Sequence, residues 1–213
     1  MDIEQMRRDA EAPVRADAAS LEGVSRDLAA AFVDDPLFNW FSRTDARRDK
    51  ARLNFFRFFM KTLVLPTGET LRPASGGGAA VWMGADSLAP NTLSEELRAL
   101  PILLALTGWS RFGRLARLRE VMDKAHPTDR PHAYLWFLGV TPEAQGHGIG
   151  SRLLKAKLDQ LDVENMPAFL ETATERNVAL YRRHGFDVLT EYRPAPDAPR
   201  MWAMWREAAG GGG

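Results

Sequence analysis

Apolar and polar residues follow a regular pattern in the second half of the chain. An almost wholly apolar run at residues 133–140 predicts a buried central strand. Apolar residues at helical spacing over residues 149–161 predict the next helix. The same criteria then predict a strand, a short helix and two closing strands at residues 167–173, 175–184, 186–192 and 201–205. This order of elements indicates an α/β fold (α+β) around a mixed sheet.

The first half of the chain is predicted to be richer in helices. Ser20 is a candidate N-cap for a helix over residues 20–32, which Asp35 and Pro36 end. The first ten residues are expected to be a loose lead-in. A second helix is predicted over residues 45–65. A hairpin with a glycine turn is predicted to pair residues 70–72 with 79–83, and two further helices are predicted over residues 92–106 and 111–125.

The two helices at residues 92–125 are predicted to form a helical insertion. The second of them carries a basic face made of Arg111, Arg114, Arg117 and Lys124. Charges at this spacing are typical of a solvated helix surface. We therefore expect this face to point to water.

Composition limits the classes of function. The 213 residues include 28 Lys and Arg and 28 Asp and Glu, so the formal net charge is zero. Domains that bind nucleic-acid phosphates usually carry a positive excess, so nucleic acid is not an expected partner. The chain has no cysteine, which excludes a disulfide, a thiolate nucleophile and a Cys-ligated metal site. The length predicts one domain over residues 1–209, followed by a disordered glycine tail at 210–213.

No segment has the pattern of a targeting signal or a membrane anchor. Residues 1–13 are charged and lack the apolar core of a signal peptide. The most apolar run near mid-chain, residues 99–109, is too short to span a bilayer. We therefore predict a soluble, cytoplasmic protein without a membrane partner.

A glycine-rich segment, TPEAQGHGIGS at residues 141–151, carries the candidate chemistry. Gly146, Gly148 and Gly150 allow backbone N–H groups to approach a ligand closely. The helix that follows adds unpaired N–H groups and the positive end of its dipole. Together these features predict an anion site suited to phosphate or pyrophosphate.

Three phosphate-binding patterns can be compared with this segment. A Walker loop ends in Gly-Lys-Ser/Thr, where this chain has Gly-Ile-Gly-Ser. The dinucleotide pattern G-x-G-x-x-G fails because Ser151 or Leu153 stands where its last glycine is required. The pattern Gln/Arg-x-x-Gly-x-Gly/Ala is met by Gln145, Gly148 and Gly150. The alternative is that these glycines only make a tight turn between strand and helix.

Three segments together resemble the GNAT acyltransferase superfamily, whose members transfer acyl groups from coenzyme A to amines. They are FLGVTPEAQGHGIGSRLL, AFLET and ERNVALYRRHGF, and the resemblance covers residues 133–206. It is greatest to the branch of puromycin N-acetyltransferase and related small-molecule enzymes. Two weaker matches, AAAFVDDP and GGAAVWM, lie in the first half. The resemblance implies a GNAT-like central mixed β-sheet flanked by helices, with residues 133–206 as the coenzyme-A-binding half.

The resemblance also implies acetyl-CoA (coenzyme A) as cofactor. The edge of the strand at residues 138–140 is expected to hold the pantetheine arm by main-chain hydrogen bonds, with a bulge at Gly139 that opens room for it. Asn177 resembles a helix asparagine that binds pantetheine or phosphates, and its alternative role is that of a helix-start residue. The implied cofactor-binding residues are Leu138, Gly139, Val140, Gln145, Gly146, His147, Gly148, Ile149, Gly150, Ser151 and Asn177.

Two residues are candidates for the catalytic roles that the resemblance implies. Tyr181 stands where the family places the group that protonates the departing thiolate, and the alternative is a core tyrosine. Many members have a glutamate on the long central strand, which this chain lacks. Glu171, a carboxylate among apolar neighbours, is the best substitute as base, with an arginine salt bridge as the alternative. His132 is the second candidate base, and we expect both it and His147 to be exposed.

The acceptor site is expected between the first half of the chain and the central sheet. Asp34 and Asp35 are candidates for attracting a cationic amine, although acids in a loop often only end a helix. Aromatic residues are candidates for the wall, although each also suits a core position. The predicted substrate residues are Phe32, Asp35, Trp82, Tyr134 and Trp136, with Trp40 as a further aromatic candidate.

The predicted function is direct transfer of an acetyl group from acetyl-CoA to the amine of a small molecule. No covalent enzyme intermediate and no metal are expected. The alternatives are acetylation of a protein lysine or N-terminus, and a coenzyme-A-binding module without turnover. The chain is expected to be a monomer or a homodimer.

Overall fold

The structure is a computed structural model that describes residues 2–85 and 93–210. The helices are α1 Ile3–Glu11, α2 Leu21–Ala31, α3 Pro36–Phe41, α4 Arg48–Phe59, α5 Leu65–Thr67, α6 Leu93–Thr107, α7 Phe112–Ala125, α8 Ile149–Val163 and α9 Glu175–Arg183. The strands are β1 Val14–Arg15, β2 Glu69–Arg72, β3 Gly78–Gly84, β4 Ala133–Val140, β5 Ala168–Thr172, β6 Asp187–Tyr192 and β7 Met201–Arg206. A π-helical segment, Met60–Val64, joins α4 to α5. The predicted start of the insertion at residue 92 and residues 211–213 of the tail predicted at 210–213 lie outside the described residues.

The described strands form one mixed sheet in the order β1-β2-β3-β4-β5-β7-β6. Neighbouring strands are antiparallel except β4 and β5, which are parallel and connected through α8. Pairing between these two strands covers only residues 133–135 and 168–170. Beyond Leu135 they diverge, while β4 stays paired to β3 as far as Val140. The divergence leaves the edge of residues 136–140 open on the side of β5.

Two apolar cores cover the two faces of the sheet. Helices α2, α4, α6 and α7 pack over one face, called here the α4 face, where Phe56 and Phe169 are fully buried. Helices α1, α8 and α9 pack over the opposite face, called here the α8 face, where Leu154 and Phe186 are buried. Side chains of a strand alternate between the two faces, as the pleat requires. Residues on the α4 face and residues on the α8 face therefore lie on opposite sides of the gap between the diverging strands β4 and β5.

The bulge of the central strand lies at Trp136 and not at Gly139, where we predicted it. Consecutive residues of β3, Val81 and Trp82, pair with residues of β4 that are two positions apart, so Trp136 is the extra residue. A bulge bends and twists its strand. This one occurs at the first residue of β4 beyond the pairing with β5, so it accompanies the divergence.

Gly139 instead permits close packing of α2 on the central strand. A Cβ atom at this position would lie 2.9 Å from the Cβ of Ala31 and 3.0 Å from the Cδ2 of Leu28. Both distances are shorter than ordinary carbon–carbon contacts. The glycine is therefore required by helix packing.

Gly139→Val is expected to lower the free energy of unfolding by about 1–3 kcal/mol, the usual cost of overpacking a core. Urea denaturation monitored by circular dichroism measures the change. Gly23→Ala, an exposed glycine of the same helix α2 with no atom within 4 Å of the added Cβ, is the matched control. It should leave stability unchanged or raise it by up to about 1 kcal/mol, because alanine favours a helix over glycine. Equal stabilities of the two variants would show that α2 does not pack on Gly139 as described.

Residues 3–11 form a helix, so the predicted loose lead-in is wrong. Asp2 caps α1 by accepting hydrogen bonds from the N–H groups of Glu4 and Gln5. Met6 and Ala10 are fully buried, and α1 packs on α8. Two apolar positions in a charged segment are a weak signal, and short helices need tertiary contacts to be stable. The two-residue strand β1 was missed for a similar reason, because only its pairing with β2 defines it.

Asp35 and Pro36 begin a helix, although we interpreted them only as the end of one. The preceding helix ends at Ala31, close to the predicted position. The carboxylate of Asp35 accepts a hydrogen bond of 2.8 Å from the N–H of Phe38, and Pro36 is the first residue of α3. Proline is favoured at this position because its missing N–H would have no partner there.

The basic face is solvated only in part, because Arg117 and Lys124 are exposed as predicted while Arg111 and Arg114 are half-buried against other elements. Arg111 donates to three carbonyl oxygens at the end of α3, at 3.0–3.1 Å. Arg114 donates to the carboxylate of Asp197 at 2.6 Å, and Arg117 donates to the carbonyl of Pro194 at 3.2 Å. These arginines join the insertion to α3 and to the connection between β6 and β7. The insertion is thereby held over the α4 face.

Other predictions of local structure are confirmed. The hairpin is present, with antiparallel pairing of β2 and β3. Gly185 follows α9 with φ of +84°, the left-handed conformation in which glycine commonly ends a helix. Within residues 2–85 and 93–210, no helix is both long and apolar enough to cross a membrane.

Candidate active site

The loop between β4 and α8 turns through two glycines with positive φ. The φ angles are +82° at Gly146 and +76° at Gly148, a region that favours glycine. Gly148 directly precedes α8, so the N–H groups of Ile149, Gly150 and Ser151 have no carbonyl one turn earlier to bind. The helix is 15 residues long, and its dipole adds positive potential at the same place. This geometry fits a phosphate group.

Arg152 is a cation at this loop that none of the three phosphate-binding patterns indicates. Its Nη1 donates to the carbonyl of Gly148 at 3.1 Å, and its Nε donates to Glu11 at 3.0 Å. A Cβ atom at Gly148 would lie 2.6 Å from the same Nη1. The residue follows the glycine motif directly, but a single arginine in a helix is usually a surface residue.

Three other predicted cofactor residues differ in their surroundings. The Nε2 of Gln145 donates to the carbonyl of Val140 at 3.1 Å, so its side chain folds back on the strand. The hydroxyl of Ser151 lies 2.7 Å from Nε2 of His184, which leaves its N–H for a ligand. His147 is exposed, in agreement with the prediction.

Tyr181 lies on the α8 face, on α9. Its side chain is buried, and its ring packs edge-on against Phe186 with 5.9 Å between centroids. Burial raises the pKa of Tyr181 above its usual value, and the nearby carboxylate of Asp35 adds to the rise. The phenol therefore keeps its proton at neutral pH. Asn177 is half-buried in the first turn of the same helix, a place that suits both of its predicted roles.

Glu171 lies on the α4 face, directly after Leu170, the last residue of β5 that pairs with β4. Tyr134 donates to its Oε2 at 3.2 Å, and Tyr192 donates to its Oε1. Its partners are thus tyrosines and not the arginine of the alternative interpretation. Burial raises the pKa of Glu171 to about 7, the two tyrosine hydrogen bonds oppose the rise, and Asp123 adds to it. A carboxyl group of this kind can exchange a proton near neutral pH.

His132 is buried, so the predicted exposure is wrong. Its side chain packs edge-on to Trp205, its Nδ1 lies 3.0 Å from the carbonyl of Arg130, and its Nε2 lies 3.0 Å from Nε2 of His126. Burial lowers the pKa of His126 to about 4, and His132 contributes to the decrease. Both ring nitrogens of His132 are engaged, so Glu171 is the better placed of the two candidate bases.

The aromatic residues predicted to line the acceptor site lie on both faces of the sheet. Phe32, Tyr134 and Trp136 lie on the α4 face, and Trp136 is half-buried there. Trp40 is buried in the same core. Trp82 is buried on the α8 face, among residues that pack against α1 and α8. The structure therefore separates Trp82 from the other predicted wall residues and from Glu171.

Asp35 belongs to the connection between α2 and α3, which packs near Gly139 of β4 through Phe32. Its loop follows Phe32, whose ring would lie 3.3 Å from a Cβ atom at Gly139. Burial raises the pKa of Asp35, while hydrogen bonds from the N–H groups of α3 oppose the rise. The carboxylate of Asp35 adds to the rise in the pKa of Tyr181, which lies on the α8 face.

Residues 111–186 match the model of the Acetyltransferase (GNAT) family. This segment belongs to the GNAT family of acetyltransferases. It contains the glycine loop, Glu171 and Tyr181.

Curated acetyltransferases are similar to this chain over different lengths. A mycothiol acetyltransferase of Propionibacterium freudenreichii is 39% identical over 75 residues, which are 32% of this chain and 24% of that protein. An uncharacterized N-acetyltransferase of Schizosaccharomyces pombe is 25% identical over 180 residues, 81% of this chain and 72% of that protein. The chain thus matches only about a quarter of the length of the mycothiol enzyme.

The GNAT fold extends over almost the whole chain. A crystal structure described as histone acetyltransferase HPA2 and related acetyltransferase, from Corynebacterium glutamicum, superimposes with a TM-score of 0.67 at 23% identity. The match covers 92% of this chain and 96% of that one. The predicted fold is therefore confirmed, and the puromycin N-acetyltransferase branch stays a prediction. Among residues 2–85 and 93–210, no three His, Asp or Glu side chains form a group able to hold a metal ion.

Proposed function

We propose that this protein is an acetyl-CoA-dependent N-acetyltransferase that acetylates the amine of a small molecule by direct transfer. The observation that carries the proposal is the placement of Glu171 directly beyond the β4–β5 pairing on the α4 face, with Tyr181 buried on the opposite face of the sheet. Asp35 belongs to the helical layer on the α4 face, yet its carboxylate adds to the rise in the pKa of Tyr181 on the other face.

The described residues fit the parts of coenzyme A. The N–H groups at the start of α8 suit the pyrophosphate, and Arg152 adds a positive charge beside them. The open edge of residues 136–140 offers main-chain groups to the amides of the pantetheine arm, as an added strand would. When bound, acetyl-CoA supplies the acetyl group as a thioester.

The two candidate catalytic residues divide the proton transfers. Glu171 accepts a proton from the acceptor nitrogen, which needs a free electron pair to attack the acetyl carbonyl carbon. The new C–N bond forms as the C–S bond breaks. The hydroxyl of Tyr181 donates a proton to the departing sulfur, and its raised pKa keeps that proton available.

A small acceptor is favoured because the insertion covers the α4 face. The arginines of α7 fasten it to α3 and to the connection between β6 and β7. Met122 and Ala125 of α7 pack against the core of that face, and Asp123 is near enough to Glu171 to raise its pKa. An extended peptide needs an open groove at this place. Asp35, Asp123 and Glu171 make the site acidic, which suits an amine.

Cofactor binding is tested by thermal-shift titration with coenzyme A. We expect a saturable rise in Tm for the wild type and for the control Gly23→Ala. Gly148→Val should weaken binding at least about tenfold, because a β-branched residue at this positive φ is strained and its side chain meets Arg152. An unchanged Tm of the wild type at about 1 mM coenzyme A, the weak end of usual affinities, would mean that the glycine loop is only a turn.

The acceptor class is tested by a thiol-release screen with acetyl-CoA. We expect turnover with small amines and little turnover with peptides that carry a lysine or a free N-terminus. Turnover with peptides alone would favour a protein acetyltransferase. Binding of coenzyme A without thiol release from any acceptor would favour the module without turnover.

A further inference from the structure

We propose that Tyr192 is a positioning residue, which together with Tyr134 holds the carboxylate of Glu171 for proton transfer. The inference rests on the base role of Glu171 in the proposed function. Tyr192 is the last residue of β6, the edge strand, and β7 separates β6 from β5. Its hydroxyl nevertheless donates to Oε1 of Glu171. With the hydrogen bond from Tyr134, this contact connects residues of β4, β5 and β6.

The reach of Tyr192 depends on a small residue in β7. Ala203 pairs with Glu171 on one side and with Thr190 on the other, and it is fully buried. Tyr192 follows Thr190 by two positions and therefore points to the same face of the sheet. Because Ala203 has only a methyl group, the tyrosine ring can cross β7 above it.

The two tyrosines hold different oxygens of the carboxylate. Tyr134 donates to Oε2 at 3.2 Å, and Tyr192 donates to Oε1. Two donors on two oxygens set the plane of the carboxylate and leave each oxygen a further lone pair for a proton. Burial raises the pKa of both tyrosines above the usual value, so both remain donors at neutral pH.

The charged and titratable groups around the carboxylate act in opposite directions. Burial and Asp123, which belongs to α7, raise the pKa of Glu171, whereas the hydroxyls of Tyr134 and Tyr192 lower it. His126 contacts the ring of Tyr134 at 5.1 Å and is neutral, since its own pKa is about 4. Loss of one tyrosine hydroxyl should therefore raise the pKa of Glu171 and reduce the fraction of carboxylate at pH 7.

The test is Tyr192→Phe, with Thr190→Val as a control that removes an exposed hydroxyl of the same strand. Glutamate labelled with ¹³C at the carboxyl carbon is titrated by NMR, and the Glu171 signal is identified by its loss in Glu171→Gln. We expect Tyr192→Phe to raise the pKa of Glu171 by about one unit, since a charge-assisted hydrogen bond is lost, and Thr190→Val to leave it unchanged.

Kinetics with an acceptor from the screen give a second readout. In Tyr192→Phe, we expect the rising limb of the pH profile of kcat/KM to move to higher pH by about one unit. The rate should fall about fivefold at pH 7 and recover to within about twofold at pH 9, with the KM for acetyl-CoA unchanged. Ala203→Val, which obstructs the path of the ring, should move the limb in the same direction.

Two outcomes would overturn the inference. An unchanged titration of Glu171 in folded Tyr192→Phe would show that the hydroxyl does not hold the carboxylate. A shifted titration together with full activity of Glu171→Gln would show that the contact has no part in proton transfer. The second outcome leaves acetyl transfer itself intact, whereas failure of coenzyme A to bind would remove the proposed function without changing the titration.

Discussion

Glu171→Gln is expected to lower kcat/KM by about 10²–10⁴-fold at pH 8, the usual contribution of a positioned general base. Glutamine has the same shape and can keep hydrogen bonds to both tyrosines, but it takes no proton from the acceptor. In the wild type, kcat/KM should rise with pH through a limb near pH 7, because the pKa of Glu171 is about 7. Steady-state kinetics from pH 5.5 to 9 should show that this limb is absent in the variant.

Glu191→Gln is the matched control for this substitution. Glu191 lies exposed on β6, where it pairs with Arg200 at 3.3 Å. Surface pairs contribute little, so activity and stability should stay within about twofold of the wild type. Wild-type activity in Glu171→Gln would show that another group or water accepts the proton.

Glu171→Gln should also change how the free energy of unfolding depends on pH. The pKa of Glu171 is raised from an ordinary 4.5 to about 7 on folding, so the folded state binds the proton more tightly than the unfolded chain. This contribution is fully present below about pH 4.5 and is lost as the pH rises through about 7. Between pH 5 and 8, Glu171→Gln should therefore lose less stability than the wild type in urea denaturation.

Tyr181→Phe is expected to lower kcat by about 10²–10³-fold, with the Kd for coenzyme A unchanged. The phenylalanine ring keeps the edge-on contact with Phe186, so the variant should fold and bind normally. It has no hydroxyl to donate to the departing sulfur. Single-turnover thiol release measures the chemical step separately from product release.

Two measurements serve as controls for Tyr181→Phe. Its Tm and its Kd for coenzyme A should match the wild type, since a loss in either would indicate altered packing of α9. Release of thiol at the wild-type rate would show that Tyr181 is only a core residue and that its role as proton donor is wrong.

Local signals in the sequence were sufficient for the elements with strong periodicity. The central strand was predicted with the bounds that β4 has, and the helices α2, α7, α8 and α9 were predicted within a few residues. The glycine loop was predicted from the same kind of information, because positive φ angles and a helix start are local properties. Elements whose stability depends on a partner surface, such as α1 and β1, were missed.

Contacts across the fold could not be predicted in the same way. The arginines at positions 111, 114 and 117 have the spacing of a solvated face, and their carbonyl and carboxylate partners are far away in the sequence. Gly139 has the appearance of a bulge glycine, yet it serves the packing of α2 while the bulge is at Trp136. Trp82 is as aromatic as the other wall candidates, and only the sheet register assigns it to the opposite face.

The sequence alone determined the order of the strongly periodic elements and the glycine turn before α8, because periodicity and glycine positions are readable one segment at a time. Glu171 was selected as a carboxylate in an apolar strand and Tyr181 through the resemblance to the GNAT family, and both catalytic roles are proposals. Tertiary structure alone decided what surrounds these residues. Tyr192 reaches Glu171 across β7 because of the register of three strands and the small size of Ala203. The pKa of Glu171 likewise depends on burial and on neighbours from β4, β6 and α7, which no local segment contains.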